Sequence, residues 1–391
     1  MKYEKIKIFF ISVFPPPYRG VGVWNERILK ILGNKDDIEL TVYSIREKKF
    51  LKKNVIAKKI AIYKRIACIL YMYRCLLNDM FKGHIGFKEY LSTSKFVFKM
   101  CSILTQVDAE KKYCLYISHT NLFTLAILYV FELLWSTKII LHEHGSGAIE
   151  YAAQRPKVVE HIFNKVDSVI VASNYMKEVC INDGCENEKI CVLPCGIDFT
   201  DKPYVEKENI IMFCGSLEQH KDPISFIKAI PIVLELLMTN DIQFALIGEG
   251  SLRGKIEEEV NKLGIEKYVK LYGELTNKEV LLFYQKAKIF VLPSIREPFG
   301  IVIIEAISNY IPCIVTNIGG MPEIVDSSFG KIVNVKSPEQ IAYAIVEIMK
   351  MDDIHYKEMS IMAYNASKSY DMNIVGELFY KLFKGVYFNE K

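Results

Sequence analysis

The chain lacks the sequence features of several protein classes. Its ten cysteines include no Cys-x-x-Cys pair, and the densest group, from Cys180 to Cys195, has neither zinc-ligand spacing nor a neighbouring histidine pair. We therefore expect free, buried thiols in a reducing compartment and no metal site. Internal repeats and low-complexity segments are also absent. The sequence thus predicts folded globular domains, not a repeat array or a disordered chain.

Long hydrophobic runs are missing as well. The longest run after the amino terminus, residues 122–135, contains Glu132 and is too short to cross a bilayer. Basic residues precede an apolar run at residues 5–14, as in a signal peptide, but three prolines follow in place of a small-residue cleavage site. We predict an opening strand there, no transmembrane helix and a cytoplasmic location.

The chain does contain a regular alternation of strand and helix patterns. At 391 residues it exceeds the size at which a single core stops growing, so two domains are expected. The alternation is typical of parallel sheets covered by helices on both faces. We predict domains at 1–204 and 205–370 and a terminal helix at 371–391. Predicted strands lie at 6–13, 39–44, 113–117, 138–141, 168–171, 210–214, 244–247, 269–272, 289–292 and 313–316, with an early helix at 24–32.

Positive charge is concentrated in the first of these domains. Residues 1–204 carry 30 Lys and Arg against 21 Asp and Glu, whereas residues 205–391 carry 20 against 25. Between Arg46 and Arg74 lysines are interleaved with isoleucines and tyrosines, which predicts a basic amphipathic helix. Such a helix suits the inner leaflet of a membrane, although a solvated helix with one buried face is the alternative. Nucleic acid is not expected, because no binding motif accompanies the charge.

The most informative motif is Ser-x-x-Glu-x-Phe-Gly-(apolar)4-Glu-Ala, residues 294–306. Glu297 lies in a loop directly after the predicted strand 289–292, and Glu305 lies eight positions later in an apolar segment that predicts a buried helix. Unpaired backbone N–H groups and the helix dipole meet at the start of that helix and favour a bound anion such as a diphosphate. The helix start comprises Phe299, Gly300 and Ile301.

This motif, with Gly-Gly-x-Pro-Glu-Ile at 319–324, resembles the signature of retaining glycosyltransferases of family 4, also called glycosyl transferases group 1. The resemblance implies an α/β fold with two Rossmann-like, doubly wound parallel-sheet domains facing a cleft, the GT-B fold. Glu297 would then face the hydroxyls of the donor sugar, and Glu305 would bind the ribose of the nucleotide. The terminal helix would cross back onto the first domain.

Loops after two further strands of the second domain fit the same resemblance. Gly215, Ser216 and Lys221 match the family's Gly-Arg-Leu loop with a lysine further on, whose cations neutralise the donor diphosphate. Ser216 stands where arginine is usual, so Lys221 and the amides at Gly300 would carry more of that charge. Gly248 belongs to a glycine-bracketed turn that lets a helix begin close to the ligand.

The first domain contributes weaker matches. Gly20 and Gly22 resemble the family's glycine loop, which approaches the donor phosphate or the acceptor, although a plain tight turn explains them equally well. His144 matches a pocket histidine that contacts the donor sugar, and His142 should share its strand face. For this His-Glu-His segment a metal site and a structural histidine are the alternatives. His119 matches a further position of the family.

The resemblance implies a metal-independent hexosyltransferase that acts with retention and needs no cofactor beyond its donor. The expected partners are a UDP- or GDP-sugar, a lipid-linked glycan acceptor and the inner-leaflet surface, as in polysaccharide or lipopolysaccharide synthesis. A nucleotide-sugar epimerase of the same architecture is one alternative. A non-catalytic scaffold that binds a nucleotide sugar is another, and it would fit Ser216 and also Tyr310, which replaces a usual glycine.

Overall fold

The structure, a computed structural model, describes residues 5–12, 20–44, 49–53, 74, 77–83, 86, 87, 91, 113–118, 124, 127, 128 and 137–388. By internal contacts the chain divides into two compact units. The first comprises Met1–Pro194 and Asn373–Lys391, and the second comprises Cys195–Met372. The boundary predicted from the sequence lies further on, at residue 204. The resemblance implies acceptor binding by the first predicted domain and nucleotide-sugar binding by the second, and both roles stay predictions.

A mostly parallel sheet forms the centre of the first unit. In the described residues its strands are β1 (Ile6–Ser12), β2 (Ile38–Ser44), β3 (Lys49–Lys53), β4 (Tyr113–Ile117), β5 (Thr137–Glu143), β6 (Ser168–Val171) and β7 (Ile190–Val192). Their order is β3-β2-β1-β4-β5-β6-β7, and neighbours are parallel except β3, which is antiparallel to β2. The α-helices of this unit whose bounds the structure gives, apart from the terminal one, are α1 (Gly20–Gly33), α2 (Ser146–Gln154), α3 (Pro156–Lys165) and α4 (Asn174–Asn182).

The central strands of this sheet are buried on both faces. Ile8, Phe9 and Phe10 of β1 are fully buried, and β4 and β6 are buried at every position. Because both faces of such strands are covered, every position favours an apolar residue, and β-branched and aromatic residues fit best. The predicted strands at these positions are confirmed.

Strand β3 corrects the prediction for the basic segment. A helix was expected across 46–74, but residues 49–53 form a strand antiparallel to β2 at one end of the sheet order. Three lysines in five residues are typical of an edge strand, where charge discourages pairing with another chain. Of the remaining residues in this segment the structure describes only Arg74, so membrane contact stays a prediction.

The second unit contains a six-stranded parallel sheet in the order β10-β9-β8-β11-β12-β13. Its strands are β8 (Glu208–Cys214), β9 (Gln243–Ile247), β10 (Val269–Gly273), β11 (Ala287–Leu292), β12 (Cys313–Thr316) and β13 (Gly330–Val333). Its helices are α5 (Pro223–Leu237), α6 (Arg253–Leu263), α7 (Asn277–Lys286), α8 (Ile301–Ile307), α9 (Pro338–Met349) and α10 (Asp353–Ser367). The predicted class, two doubly wound α/β sheets, is confirmed.

The strand order of the second sheet contains a topological switch point between β8 and β11. The chain runs outward from β8 through β9 to β10, and then returns to place β11 on the other side of β8. Loops that leave adjacent strands in opposite directions open a crevice at the carboxyl ends of those strands. Ligands of doubly wound sheets bind in that crevice, so a ligand-binding site is expected at the loops after β8 and β11.

The terminal helix α11 (Met372–Phe388) packs on the first unit. The rings of Phe379 and Trp24 lie 5.2 Å apart, and those of Phe383 and Tyr116 lie 5.9 Å apart, measured between centroids. Both phenylalanines are fully buried. The carboxyl-terminal segment therefore completes a hydrophobic core that begins more than 340 positions earlier in the sequence.

In the described part of the chain, no helix is both long enough and apolar enough to cross a bilayer.

Candidate functional site

Two loops meet at the switch point of the second sheet. One follows β8 and ends in a turn of 3-10 helix, Gln219–Lys221, and the other follows β11 and contains Glu297. The backbone amides of Ile295 and Arg296 donate to the carbonyl oxygen of His220 at 2.9 and 3.3 Å. These bonds involve main chain on both sides, so the two loops are held together irrespective of their side chains.

An ion pair joins the same two loops. The Lys221 ammonium group donates to Glu297 Oε2, and the two side chains are only 17% and 11% exposed. Both residues were predicted as site residues, and the structure brings them together across 76 positions of sequence. A pair so largely removed from water is held by strong attraction, and removal of one partner would leave an uncompensated charge.

A third loop, after β12, supports the position of Glu297. The Gly320 amide donates to the Glu297 carbonyl oxygen at 3.1 Å. Gly319 has φ +66°, and a Cβ atom built on it would lie 1.8 Å from that same oxygen. Only glycine therefore fits between this loop and the backbone of Glu297.

We expect Gly319→Ala to destabilise the second unit by at least about 2 kcal/mol, because the new methyl group forces the Glu297 backbone to move and the left-handed conformation disfavours alanine. Urea unfolding followed by circular dichroism measures this change. Gly254→Ala is the matched control, since Gly254 lies in α6 and a Cβ there meets no atom within 4 Å. Equal midpoints for the two variants would contradict the steric argument.

Helix α8 begins at the end of the Glu297 loop. Gly300 precedes it with φ +99°, and a Cβ there would lie 2.8 Å from Ile303 Cδ1, so the turn into the helix requires glycine. Phe299 is buried and Ile301 is the first helical residue. Because α8 has only seven residues, its dipole is small, and Lys221 is the stronger positive charge at this edge of the sheet.

Glu305 lies in the middle of α8 and is half-buried. The hydroxyl of Tyr284, from α7, lies 3.3 Å from Glu305 Oε2 and 3.4 Å from the carbonyl oxygen of Val302. The Asn309 amide group donates to the backbone carbonyl of Glu305 at 2.7 Å. Glu305 is thus held from two sides, and the residues that hold it were not identified from the sequence.

The glycines predicted after β8 and β9 pack directly against each other. Gly248 has φ +136°, and a Cβ there would lie 1.9 Å from the carbonyl oxygen of Gly215. The Gly215 amide in turn donates to the carbonyl of Ile247 at 3.0 Å. Ser216 follows in this turn, where the family has arginine. Close approach of the two backbones therefore requires glycine at position 248, while the predicted approach to a ligand stays a prediction.

Glu218 ties the loop after β8 to the turn after β9. Its carboxylate accepts hydrogen bonds from the Ser251 amide at 2.8 Å and the Ser251 hydroxyl at 2.6 Å. These bonds hold the pKa of Glu218 below its usual range. Nothing in the spacing of these two residues indicates the contact.

The His-Glu-His segment lies at the end of β5 in the first unit. The rings of His142 and His144 lie 3.7 Å apart, so they share a strand face as predicted. His142 is fully buried, and its Nδ1 lies 2.7 Å from the Tyr116 hydroxyl, which makes it a structural histidine. His144 is half-buried. Among the described residues no cluster of three or more His, Cys, Asp or Glu side chains could hold a metal ion.

Glu143 lies between these histidines and faces the opposite side of the strand. It is 2% exposed and lines a small cavity with Met176, Cys180 and Asp183. Within the described structure neither of its carboxylate oxygens has a hydrogen-bond partner. Burial, with a smaller contribution from the Asp183 charge, raises the pKa of Glu143 to about 8.

Gly20 and Gly22 lie in the first turn of α1, so the predicted loop or tight turn is wrong at these positions. The helix begins before the predicted start at residue 24, because glycine lowers helix propensity without preventing a helical turn. Contact of these glycines with a donor or acceptor stays a prediction. His119 lies outside the described residues.

Tyr310, which replaces a usual glycine, has φ +62°. Its side chain compensates for this conformation. The ring stacks on Tyr364 with centroids 4.1 Å apart, and the hydroxyl donates to the carbonyl oxygen of Lys202 at 2.7 Å. The departure is therefore accommodated by local packing and does not disturb the fold of this unit.

Comparison with known proteins agrees with the fold and the motifs. Residues 197–369 match the family described as Glycosyl transferases group 1, and residues 83–201 match the one described as Glycosyltransferase Family 4. Together the two matches span residues 83–369, and the chain belongs to the glycosyltransferases that these two descriptions cover. Its two sheets have the GT-B fold.

The sequence identities to individual relatives are low. An uncharacterized glycosyltransferase of Methanocaldococcus jannaschii is 25% identical over 89% of this chain and 90% of its own length. A Campylobacter jejuni alpha-1,4-N-acetyl-D-galactosaminyltransferase, named for an undecaprenol diphosphate-linked acceptor, is 27% identical over 73% of this chain and 78% of its own. The crystal structure of Anabaena HepE in complex with UDP superposes on this chain with a TM-score of 0.70 and a sequence identity of 16%. The match covers 97% of this chain and 100% of that one.

Proposed function

We propose that the protein transfers a hexose from a UDP- or GDP-sugar to a hydroxyl group of a lipid-linked glycan, with retention at the anomeric carbon. The observation that carries the proposal is the buried Lys221–Glu297 ion pair at the switch point of the second sheet. An ammonium group and a carboxylate there match the two halves of the donor. The first suits its diphosphate, and the second suits the hydroxyls of its sugar.

In this mechanism Lys221 stabilises the negative charge that develops on the departing diphosphate. The backbone amides of Gly300 and Ile301 would add to this effect. Glu297 neutralises Lys221 while no donor is bound, and a diphosphate would compete for the ammonium group. The carboxylate then becomes available to accept hydrogen bonds from the sugar. Ser216 supplies no charge, so Lys221 is the principal cation of the proposed site.

Glu305 would accept hydrogen bonds from the ribose, and His144 would contact the far edge of the sugar. The acceptor attacks on the face from which the diphosphate leaves, through a short-lived ion pair that resembles an oxocarbenium ion. A nucleophilic carboxylate and a metal ion are then not required. Gly20, Gly22, Gly215 and Gly248 would let main chain approach the donor.

Two observations favour a lipid-linked acceptor. The Campylobacter relative is named for a glycan on undecaprenol diphosphate. The segment 46–74 is rich in lysine, isoleucine and tyrosine, which suits the anionic inner leaflet where such acceptors are exposed. The proposed setting is therefore polysaccharide or lipopolysaccharide synthesis by a cytoplasmic enzyme that binds peripherally to the membrane.

We expect Glu305→Ala to weaken binding of the donor nucleotide by roughly 10-fold, because a charge-assisted hydrogen bond to the ribose is lost. Isothermal titration with UDP and with GDP measures the affinity. Glu258→Ala, a change at an exposed glutamate of α6, is the control. Unchanged affinity in Glu305→Ala would contradict the ribose assignment.

Incubation of the purified protein with UDP- and GDP-sugars and with membrane lipids tests the reaction itself. Sugar attached to lipid is the expected result. Isomerised donor without transfer would instead identify an epimerase. Nucleotide binding without any turnover would identify a scaffold, the alternative suggested by Ser216.

A further inference from the structure

A buried tyrosine lies between the elements that form the proposed site. Tyr284 of α7 is 3% exposed, and its ring lies 6.1 Å from that of Phe290 in β11, measured between centroids. Its hydroxyl reaches Glu305 Oε2 at 3.3 Å and the Val302 carbonyl at 3.4 Å. The side chain thus reaches from α7 to two residues of α8.

The chemistry of the groups fixes the direction of these hydrogen bonds. An ionised carboxylate can only accept, so the hydroxyl of Tyr284 donates to Glu305. Burial raises the pKa of Tyr284 well above its usual value, which keeps the hydroxyl protonated. A bond of this kind to a charged acceptor is stronger than one between neutral groups, so Glu305 is preferred over the Val302 carbonyl.

We propose that Tyr284 is a positioning residue that fixes the carboxylate of Glu305 in the orientation needed to bind the nucleotide. This inference rests on the proposed role of Glu305. Without the hydroxyl, a half-buried glutamate on a seven-residue helix would populate several rotamers. The bound rotamer would then have to be selected at each binding event, which lowers affinity.

Nucleotide affinity in Tyr284→Phe tests the proposal, because phenylalanine keeps the ring and removes only the donor. We expect UDP or GDP, whichever the wild-type protein binds, to bind roughly 5- to 10-fold more weakly in isothermal titration. In a Glu305→Gln background the same change should alter affinity less than about 2-fold, because the carboxylate that it orients is gone.

Tyr356→Phe is the matched control. Tyr356 is 4% exposed, belongs to the same unit, and donates to the Lys288 carbonyl at 2.8 Å. This variant should show a similar loss of stability and wild-type affinity for the nucleotide.

Equal affinity in Tyr284→Phe and the wild type would overturn the proposal, and so would an equal loss in the Glu305→Gln background or in Tyr356→Phe. Any of these results leaves the proposed function intact as long as the wild-type protein binds a nucleotide. A wild-type protein that binds neither UDP nor GDP would overturn the proposed function and this inference with it.

Discussion

Replacing Lys221 with methionine is expected to lower the rate of sugar transfer by roughly 10²- to 10³-fold, the effect of removing one preorganised charge from a leaving group. The effect should be at the upper end of this range, because Ser216 supplies no second cation in the same loop. The methionine side chain is unbranched and one atom shorter than lysine, and it lacks the ammonium charge with its hydrogen-bond donors. Transfer from a radiolabelled UDP- or GDP-sugar to membrane lipid measures the rate.

Controls for this variant must separate catalysis from stability, since Lys221→Met leaves Glu297 largely buried without its partner. The double variant Lys221→Met with Glu297→Gln removes both charges and should recover much of any lost stability without recovering activity. Lys331→Met breaks an exposed ion pair with Glu347 in the same unit and should leave the rate unchanged. Wild-type activity in a folded Lys221→Met protein would remove Lys221 from the mechanism.

Replacing Glu143 with glutamine is expected to stabilise the first unit by roughly 3 kcal/mol at pH 7. The folded-state pKa of Glu143 is raised from 4.5 to about 8, so the folded protein binds more protons than the unfolded chain between these values. Stability therefore falls as the pH rises from about 4.5 to 8 and levels off above that. Glutamine has no proton to lose, so the variant should not show this fall.

Urea unfolding at pH 5, 7 and 9, followed by tryptophan fluorescence, measures the difference. Both tryptophans, Trp24 and Trp135, belong to the first unit, so the signal reports on that unit alone. Near pH 5 the two proteins should differ little, and the gap should widen to pH 9. Glu178→Gln, at an exposed position of α4, should leave the pH dependence unchanged. A gap that does not change with pH would show that Glu143 is ionised in the folded state, contrary to the expectation.

The sequence predicted the buried strands well because their apolar runs are continuous, even in β6 and β12 with four residues each. It missed β3, β7 and β13, which each lie at an end of their sheet order. Edge strands are covered less completely, and the positions of β7 and β13 are in part half-buried or exposed, so they lack a continuous apolar run. β3 also carries three lysines in a context that suggests a basic helix, and pairing with β2 decides its conformation.

The candidate site was partly predictable from the sequence. The glycines and glutamates at the carboxyl ends of strands could be identified, because doubly wound sheets bind ligands there. The contact of Lys221 with Glu297 depends on the order of strands β8 and β11, which no local pattern specifies. Tyr284 belongs to no motif, so its hydrogen bond to Glu305 emerges only from packing.

The burial of Glu143 could have been predicted from the two-residue period of its strand. The two histidines of His-Glu-His had instead suggested a pocket or a metal site. Alternation along β5 already places Glu143 on the face opposite His142 and His144. A glutamate between two covered faces of a parallel sheet is expected to be buried, and its raised pKa follows from that position.

A crystal structure of the protein with UDP or GDP bound, whichever nucleotide it prefers in titration, provides the decisive test. The expected result is a diphosphate in contact with Lys221 Nζ and the amides of Gly300 and Ile301, with the ribose hydroxyls on the carboxylate of Glu305. A nucleotide bound elsewhere, away from the loops after β8 and β11, would contradict the proposed site and the mechanism built on it.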